Sequence, residues 1–204
     1  MIDFGLGNHF FHYTASAAAV GALAVGGGSA IAAGVDSGGA ARAVRASEPD
    51  VTVLFGRALL TVRAAQPPVF AKAVVYEADG STTNGRATTS ASAITKWRFV
   101  FDNAPSKSRF ASATLTYGPP PARFGKVTGS RFPFLEDVVI ARAPKLTLTQ
   151  AVAALRKAGY RSGFTGVTLR RPLGPHETPP LYLFSLANGR FVSVNTVTRK
   201  VSKI

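Results

Sequence analysis

Few residues in this chain of 204 could carry metal or acid–base chemistry, since it has three His and no Cys. His9 and His12 lie three residues apart near the N-terminus, whereas His176 stands alone in a proline-rich segment. A metal site needs several ligands that converge on one point. The spacing of these histidines therefore predicts no metal site.

Two pairs of carboxylates, Glu77 with Asp79 and Glu136 with Asp137, are the candidates for general acid–base catalysis. Each pair is either adjacent or on one strand, which is better explained by exposed strand and turn charges. The chain has no G-x-S-x-G motif, and no Lys-Ser/Thr follows its glycine-rich segment 21–28. We therefore predict a protein that is not an enzyme and uses no cofactor.

Positive charge is the strongest feature of the composition, because 24 Lys and Arg against 10 Asp and Glu give a net charge of +14. All of these cations lie from Arg42 onward. If they cluster on one face, such a surface attracts nucleic acid, anionic lipid headgroups or acidic wall polymers. The composition also fits solvated faces of an Arg-rich protein, because no basic run exceeds two residues. Both interpretations remain open at this point.

Residues 1–46 are predicted to be a signal peptide and linker that do not belong to the fold. The uncharged Ala/Gly/Val-rich run 14–35 contains a small-residue sequence at 30–33 and precedes a Ser/Gly-rich linker. This order is typical of export signals, although the usual basic start is missing. A retained membrane anchor and a disordered tail are the alternatives, since about 20 apolar residues can span a bilayer. The first interpretation predicts a secreted or cell-envelope protein.

Residues 47–143 are predicted to form a first unit, one helix followed by antiparallel strands. Apolar side chains recur at helical spacing over 51–64, Ser47 and Asp50 form a cap-like start, and Pro67-Pro68 ends the helix. The low-complexity residues 80–93 are predicted to be a long mobile hairpin loop. Strands are predicted at 70–80, 94–101 and 108–117, with a short closing strand at 135–141.

Residues 144–204 repeat this order in a second unit. Thr147 and Gln150 have the spacing of a capping box at the start of a helix over 148–158. Gly159 suits the left-handed position that ends a helix. A strand over 164–172 and a final hairpin follow. The matching order of elements indicates an internal repeat.

The final hairpin is predicted from Asn188-Gly189, which lies between two apolar runs. A two-residue type I′ turn needs positive φ at both central residues, and this pair supplies it. In that register Leu186 lies opposite Phe191. We expect Gly189→Val to cost about 1–3 kcal/mol. Gly85→Val, in the Ser/Thr-rich loop, is expected to cost less than about 0.5 kcal/mol.

The hairpin strands are apolar on both faces, whereas one helix covers only one face of a sheet. The other face must meet the first unit, a second copy of the chain or another partner. With a two-residue turn, Leu183, Val192 and Val194 lie on one face. The candidate partner-binding strand face is the other, formed by Tyr182, Phe184, Leu186 and Phe191.

Over residues 145–204 the second unit resembles a PepSY domain. The helix "LTLTQAVAALRKAGY", the strand opening Pro180-Leu181-Tyr182 and the closing segment 192–201 match the family's pattern, which ends in V-x-V-D-x-x-T-G-x-V. Two positions depart from that pattern, because Asn195 replaces Asp and Arg199 replaces Gly. The first unit matches only in the order of its elements.

This resemblance implies an α+β fold of two cystatin-like, PepSY-like units, each one helix packed on a curled antiparallel sheet. It also implies an exported, non-catalytic protein-interaction module, a class found in propeptides of thermolysin-like metallopeptidases and proposed to restrain peptidases. The expected partner is a protein, a peptidase among the candidates, or a second copy of the chain. The alternative function is a basic module that binds cell-wall polymer, lipid headgroups or nucleic acid. An enzyme without a recognisable motif is the third class.

Overall fold

The computed structural model describes residues 49–66, 68–103, 108–118, 123–135, 137–174 and 178–204. Within these ranges there are two α-helices, α1 (Val51–Arg63) and α2 (Leu148–Lys157), and eight strands. The strands are β1 (Val74–Thr82), β2 (Ile94–Asp102), β3 (Ser112–Tyr117), β4 (Thr128–Ser130), β5 (Phe164–Arg170), β6 (Leu181–Leu186), β7 (Phe191–Asn195) and β8 (Val201–Lys203).

All eight strands form one antiparallel sheet in the order β4-β3-β2-β1-β5-β6-β7-β8. The prediction of an α+β fold with antiparallel strands is therefore confirmed. β1 pairs with β5 from Glu77 opposite Arg170 to Ser81 opposite Gly166. Because of this pairing, the strands of the two predicted units belong to a single sheet.

One hydrophobic core contains the buried side chains of both helices and of one sheet face. Directly paired residues point to the same face of a sheet. A buried row of such partners crosses six strands and consists of Leu115, Phe99, Ala78, Leu169, Tyr182 and Val194. The helices therefore cover one face of the sheet, and the opposite face carries the alternate residues.

Asp50 joins the starts of the two helices. Its Oδ1 accepts a hydrogen bond from Thr52 N at 3.0 Å and caps α1. Its Oδ2 accepts from Leu148 N at 2.9 Å, in the first turn of α2. A carboxylate is favourable at a helix N-terminus because the first backbone N–H groups lack partners. The predicted first helix is confirmed, whereas Ser47 lies outside the described residues.

The predicted ends of α2 are also confirmed. Thr147 Oγ1 accepts from Gln150 N at 3.2 Å, and Gln150 Oε1 accepts from Thr147 N at 3.0 Å, which completes the capping box. Gly159 follows the helix with φ of 90°. The face packed on the sheet is the apolar stripe Leu148, Ala151, Val152 and Leu155.

The β6–β7 hairpin differs from its prediction, because its loop has three residues, 187–189. Leu186 N donates to Arg190 O at 2.9 Å, and Gly189 N donates to Leu186 O at 3.0 Å. Gly189 has φ of 78°, while Asn188 has no positive φ. A turn closed by one left-handed glycine needs only one such residue and adds a residue to the loop. The predicted two-residue turn is wrong, and the strand register moves by one residue.

The closing strand of the first half is β4, which pairs with β3. The prediction of that strand at 135–141 is wrong, because Asp137 forms only an isolated bridge with Pro172 there. Ile140 N donates to Val75 O at 2.8 Å, so this segment crosses the end of β1 without becoming a strand.

The loop predicted at 80–93 is shorter than expected, since β1 continues to Thr82. It is also attached to the sheet. Thr88 N donates to Phe164 O at 2.9 Å, and Phe164 N donates to Thr88 O at 2.8 Å.

Candidate binding groove

The four residues predicted as a partner-binding strand face do not share a face. Tyr182, Phe184 and Leu186 belong to the core. Phe191 lies opposite Ser185, on the other side of the sheet, and is 40% exposed. The cause is the extra loop residue, because a one-residue slip exchanges the faces of a strand. A partner of the folded chain therefore has no access to three of the four.

Tyr182 has a structural part in the core. Its hydroxyl donates to Leu146 O at 2.8 Å, which holds the segment before α2 on the sheet. Burial raises the pKa of the Tyr182 phenol, and the negative charge of Asp50 adds to this effect.

Two carboxylates interpreted as exposed charges are buried, because Glu77 is 5% and Asp137 4% exposed. They lie with Asp79 near the centre of the sheet, where β1 adjoins β2 and β5. Arg98 Nη2 lies 2.6 Å from Asp79 Oδ2 and 3.2 Å from Glu77 Oε1. Arg170 Nη2 lies 2.6 Å from Asp137 Oδ1. The interpretation as exposed charges is wrong for these two residues.

This carboxylate cluster has the residue types of an acid–base pair, but two of its three carboxyl groups are buried. Burial, together with the carboxylates of Asp79 and Asp137, raises the pKa of Glu77 to about 9. A carboxyl group with a raised pKa can act as a proton donor. However, the side chain of Asp137 is fully buried and that of Glu77 nearly so. We therefore interpret the cluster as a polar junction between the two halves of the sheet.

The other candidates for chemistry give no site in the described part of the chain. Glu136 and the three histidines, His9, His12 and His176, lie outside it. Among the residues that the structure describes, no group of three His, Cys, Asp or Glu could hold a metal ion. The predicted leader 1–46 also lies outside, and none of the described helices is long and apolar enough to cross a membrane.

An open groove of about 530 Å³ runs between α2 and the edge strand β8, and we call it the helix–edge groove. Its α2 wall is Gln150, Ala153, Ala154, Lys157 and Ala158, and its sheet wall is Arg199 and Val201. The α2 wall is exposed except for Ala154, which is half-buried and packs against the core. The space remains open because three of its five residues are alanines.

A second cavity of about 540 Å³ continues from the groove around the turn between β7 and β8. The two cavities share Gln150 and Arg199 as lining residues. We call this second cavity the turn pocket. Its other lining residues are Arg142, Pro144, Lys145, Leu146, Pro180, Thr196 and Val197.

Four cations line these two cavities, and no Asp or Glu does. They are Arg142, Lys145, Lys157 and Arg199. Within the described ranges none of the four forms an ion pair with a carboxylate, whereas Arg98 and Arg170 do. Unpaired cations in a concave site raise the local concentration of anionic groups. The two cavities therefore form a site that favours anionic ligands.

The turn between β7 and β8 holds Arg199 at the junction of the two cavities. Asn195 Oδ1 accepts from Val197 N and Thr198 N, both at 2.9 Å, and Arg199 N donates to Asn195 O at 2.9 Å. Arg199 has φ of 60°, the single positive φ among the described residues other than glycine. This left-handed conformation costs a residue with a side chain about 1–2 kcal/mol.

The sequence did not predict this site because its cations are far apart in the chain and on different elements. Arg142 and Lys145 precede α2, Lys157 ends it, and Arg199 lies in a turn. One local signal was present, the arginine at a position where the PepSY pattern has glycine. A non-glycine residue in a strained conformation often marks a functional site.

Comparison of the chain with protein-family profiles, with curated proteins and with solved structures found no match. Its function is therefore inferred from the geometry of the groove.

Proposed function

We propose that the protein is a non-catalytic interaction module that binds a segment of a protein partner in the helix–edge groove. The observation that carries this proposal is an open groove lined by unpaired cations at the edge of the sheet. Its volume of about 530 Å³ lies in the range of about 300–1,000 Å³ that is typical of ligand sites.

We also propose that the fold is a tandem of two PepSY-like units, α1 with β1–β4 and α2 with β5–β8. The order β4-β3-β2-β1-β5-β6-β7-β8 supports this, because each half adds its strands outward from the central antiparallel pair. The turn after β7 supports it as well. Asn195 caps that turn as Asp would, and Arg199 adopts the conformation that glycine adopts most easily.

In this tandem, the edge of the first unit differs from that of the second in a way that supports a specific role for the groove. Phe70 and Phe110 stack at 5.6 Å between ring centroids, and a Cβ on Gly129 of β4 would lie 2.7 Å from Phe110. Aromatic side chains thus pack over one face of β4, whereas alanines beside β8 leave the helix–edge groove open. The resemblance adds an extracytoplasmic location and makes a peptidase the first partner to test.

A blocked groove tests the proposal. Ala153 is exposed on the α2 wall, so that Ala153→Trp fills the groove without disturbing the core. Ala187→Trp, on the exposed loop of the β6–β7 hairpin, is the matched control. Random octapeptides selected by display for binding to the full chain should bind the control and fail to bind Ala153→Trp. Selected peptides that bind both variants equally would contradict the proposal.

The second candidate function is binding of an anionic polymer, favoured by the net charge of +14 and the four unpaired cations. Inorganic polyphosphate titrated into the wild-type chain and Ala153→Trp distinguishes the two functions. Polyanion binding weakens steeply with salt, whereas contacts of apolar side chains in the groove do not. Peptide binding that persists at about 0.5 M salt, roughly three times physiological ionic strength, favours the protein partner.

A further inference from the structure

The edge strand β8, whose Val201 lines the helix–edge groove, has backbone groups that point away from the rest of the sheet. Asn195 N donates to Lys200 O at 2.9 Å, and Ile204 N donates to Phe191 O at 3.2 Å, so both Lys200 and Ile204 bond to β7. Neighbouring residues of an antiparallel edge strand alternate between the two sides. The N–H and C=O groups of Val201 and Lys203 therefore face the open edge.

The arrangement of an edge strand beside a helix fits an extended peptide. Added strands gain affinity from main-chain hydrogen bonds and specificity from pockets for alternate side chains. Here Val201 provides the edge, and the alanines of α2 leave room beside it for side chains pointing toward the helix. Lys157 and Arg199 stand at the walls of the groove, where a carboxylate of the added strand would meet them.

We infer that an acidic, extended segment of a partner protein adds to the sheet as a ninth strand beside β8. This inference rests on the proposed function and specifies the partner chemistry for the same groove. Alternate side chains of the segment enter the helix–edge groove, and its carboxylates bind Arg199 and Lys157. The continuous path into the turn pocket, with Arg142 and Lys145, extends the basic lining.

Charge and lining select this occupant over two others. A second copy of the chain would bring its own basic edge, with Lys200 and Lys203, against the first, and like charges repel. Single-stranded nucleic acid binds proteins by stacking its bases on aromatic side chains. The two cavities have no aromatic residue among those that line them. Lysines on an edge strand also discourage neutral strands from pairing, which leaves an acidic strand as the favoured one.

A labelled octapeptide of alternating Glu and Val, titrated by fluorescence anisotropy into the full chain, tests the inference. Two further peptides carry N-methyl groups on the Glu amides or on the Val amides. Both keep the charge of the parent, but each removes the main-chain donors of only one strand edge. A Lys-Val octapeptide controls for charge, and inorganic polyphosphate controls for a polyanion without amides. Lys203→Pro removes one outward N–H and one charge, and Lys203→Gln removes only the charge.

We expect one N-methylated peptide to bind about tenfold more weakly than the parent peptide, because it loses about 1.4 kcal/mol of binding free energy. The other N-methylated peptide should bind as tightly as the parent. Lys203→Pro should weaken binding more than Lys203→Gln, and the Lys-Val peptide should not bind. Strand addition would be overturned if both N-methylated peptides bound equally well. It would also be overturned if polyphosphate displaced the parent peptide and both ligands showed the same salt dependence. The groove would then be a simple anion site. If the wild-type chain and Ala153→Trp have the same affinity for the peptide, and also the same affinity for polyphosphate, the proposed function itself fails.

Discussion

Replacing Arg199 by glycine should stabilise the fold while weakening binding at the groove. The left-handed φ of 60° costs arginine about 1–2 kcal/mol, and glycine avoids that cost. Glycine loses about 0.5–1 kcal/mol more than other residues in conformational entropy on folding, which offsets part of the gain. The expected net effect is about 0.5–1 kcal/mol of added stability.

Two matched variants separate the backbone effect from the charge. Arg199→Gln keeps the strain and removes the charge, and Arg199→Lys keeps both. In denaturant melts only Arg199→Gly should gain stability, which for a domain of this size corresponds to about 1–4 °C in Tm. In titrations with the Glu-Val octapeptide, the Gly and Gln variants should lose more than about tenfold in affinity, the effect of one charge-assisted hydrogen bond of about 1.5 kcal/mol or more. A loss of stability in Arg199→Gly would refute the strain argument, and unchanged binding by Arg199→Gln would refute contact with the ligand.

Three further predictions concern the fold. In urea melts the free energy of unfolding should fall by about 2 kcal/mol in Asp50→Ala and by about 1 kcal/mol in Asp50→Asn, because the carboxylate caps both helices and each cap contributes about 1 kcal/mol. Losses below about 0.5 kcal/mol for both variants would contradict this. Glu77→Gln should stabilise the protein at pH 8 by at least about 1.4 kcal/mol. The pKa of Glu77 in the folded state is about 9 instead of the ordinary 4.5, so that the wild-type protein loses stability as pH rises from 4.5 to 9, whereas glutamine does not titrate. The difference should vanish near pH 4, and a gain independent of pH would disprove the titration. Gly189→Val and Gly85→Val should each cost about 1–3 kcal/mol, because both glycines have positive φ, 78° and 70°; a loss near zero at Gly85 would restore the smaller value expected from the sequence.

Local patterns predicted both helices and most strands, because short-range physics decides them. The capping box at Thr147 and Gln150 formed as predicted, since its hydrogen bonds lie within one turn of helix. The Asn188-Gly189 turn failed by one residue, because two loop geometries accept a left-handed glycine; they differ in the conformation of Asn188 and by one residue in loop length. That single residue decided which face carries Phe191. Sequence patterns could not choose between these geometries.

Contacts between distant segments were beyond the sequence for a different reason. Asp79 and Thr168 are far apart in the chain, yet Thr168 Oγ1 donates to Asp79 Oδ1 at 2.8 Å because β1 pairs with β5. No local pattern specifies which strand of the first half pairs with which strand of the second half. The burial of Glu77, and the basic lining shared by Lys157 and Arg199, follow from long-range packing in the same way.

The junction of the two halves gives the groove a rigid support. Asp50 fixes the start of α2 to the start of α1, and the β1–β5 pairing fixes the sheet beneath both helices. Since α2 is held at its N-terminus and along its buried stripe, the distance between its alanine face and β8 is set before any ligand arrives. A preformed groove lowers the ordering cost of binding on the side of the protein, so that the main cost falls on the extended partner segment. The affinity for that segment should therefore depend most on how well its own sequence favours an extended conformation.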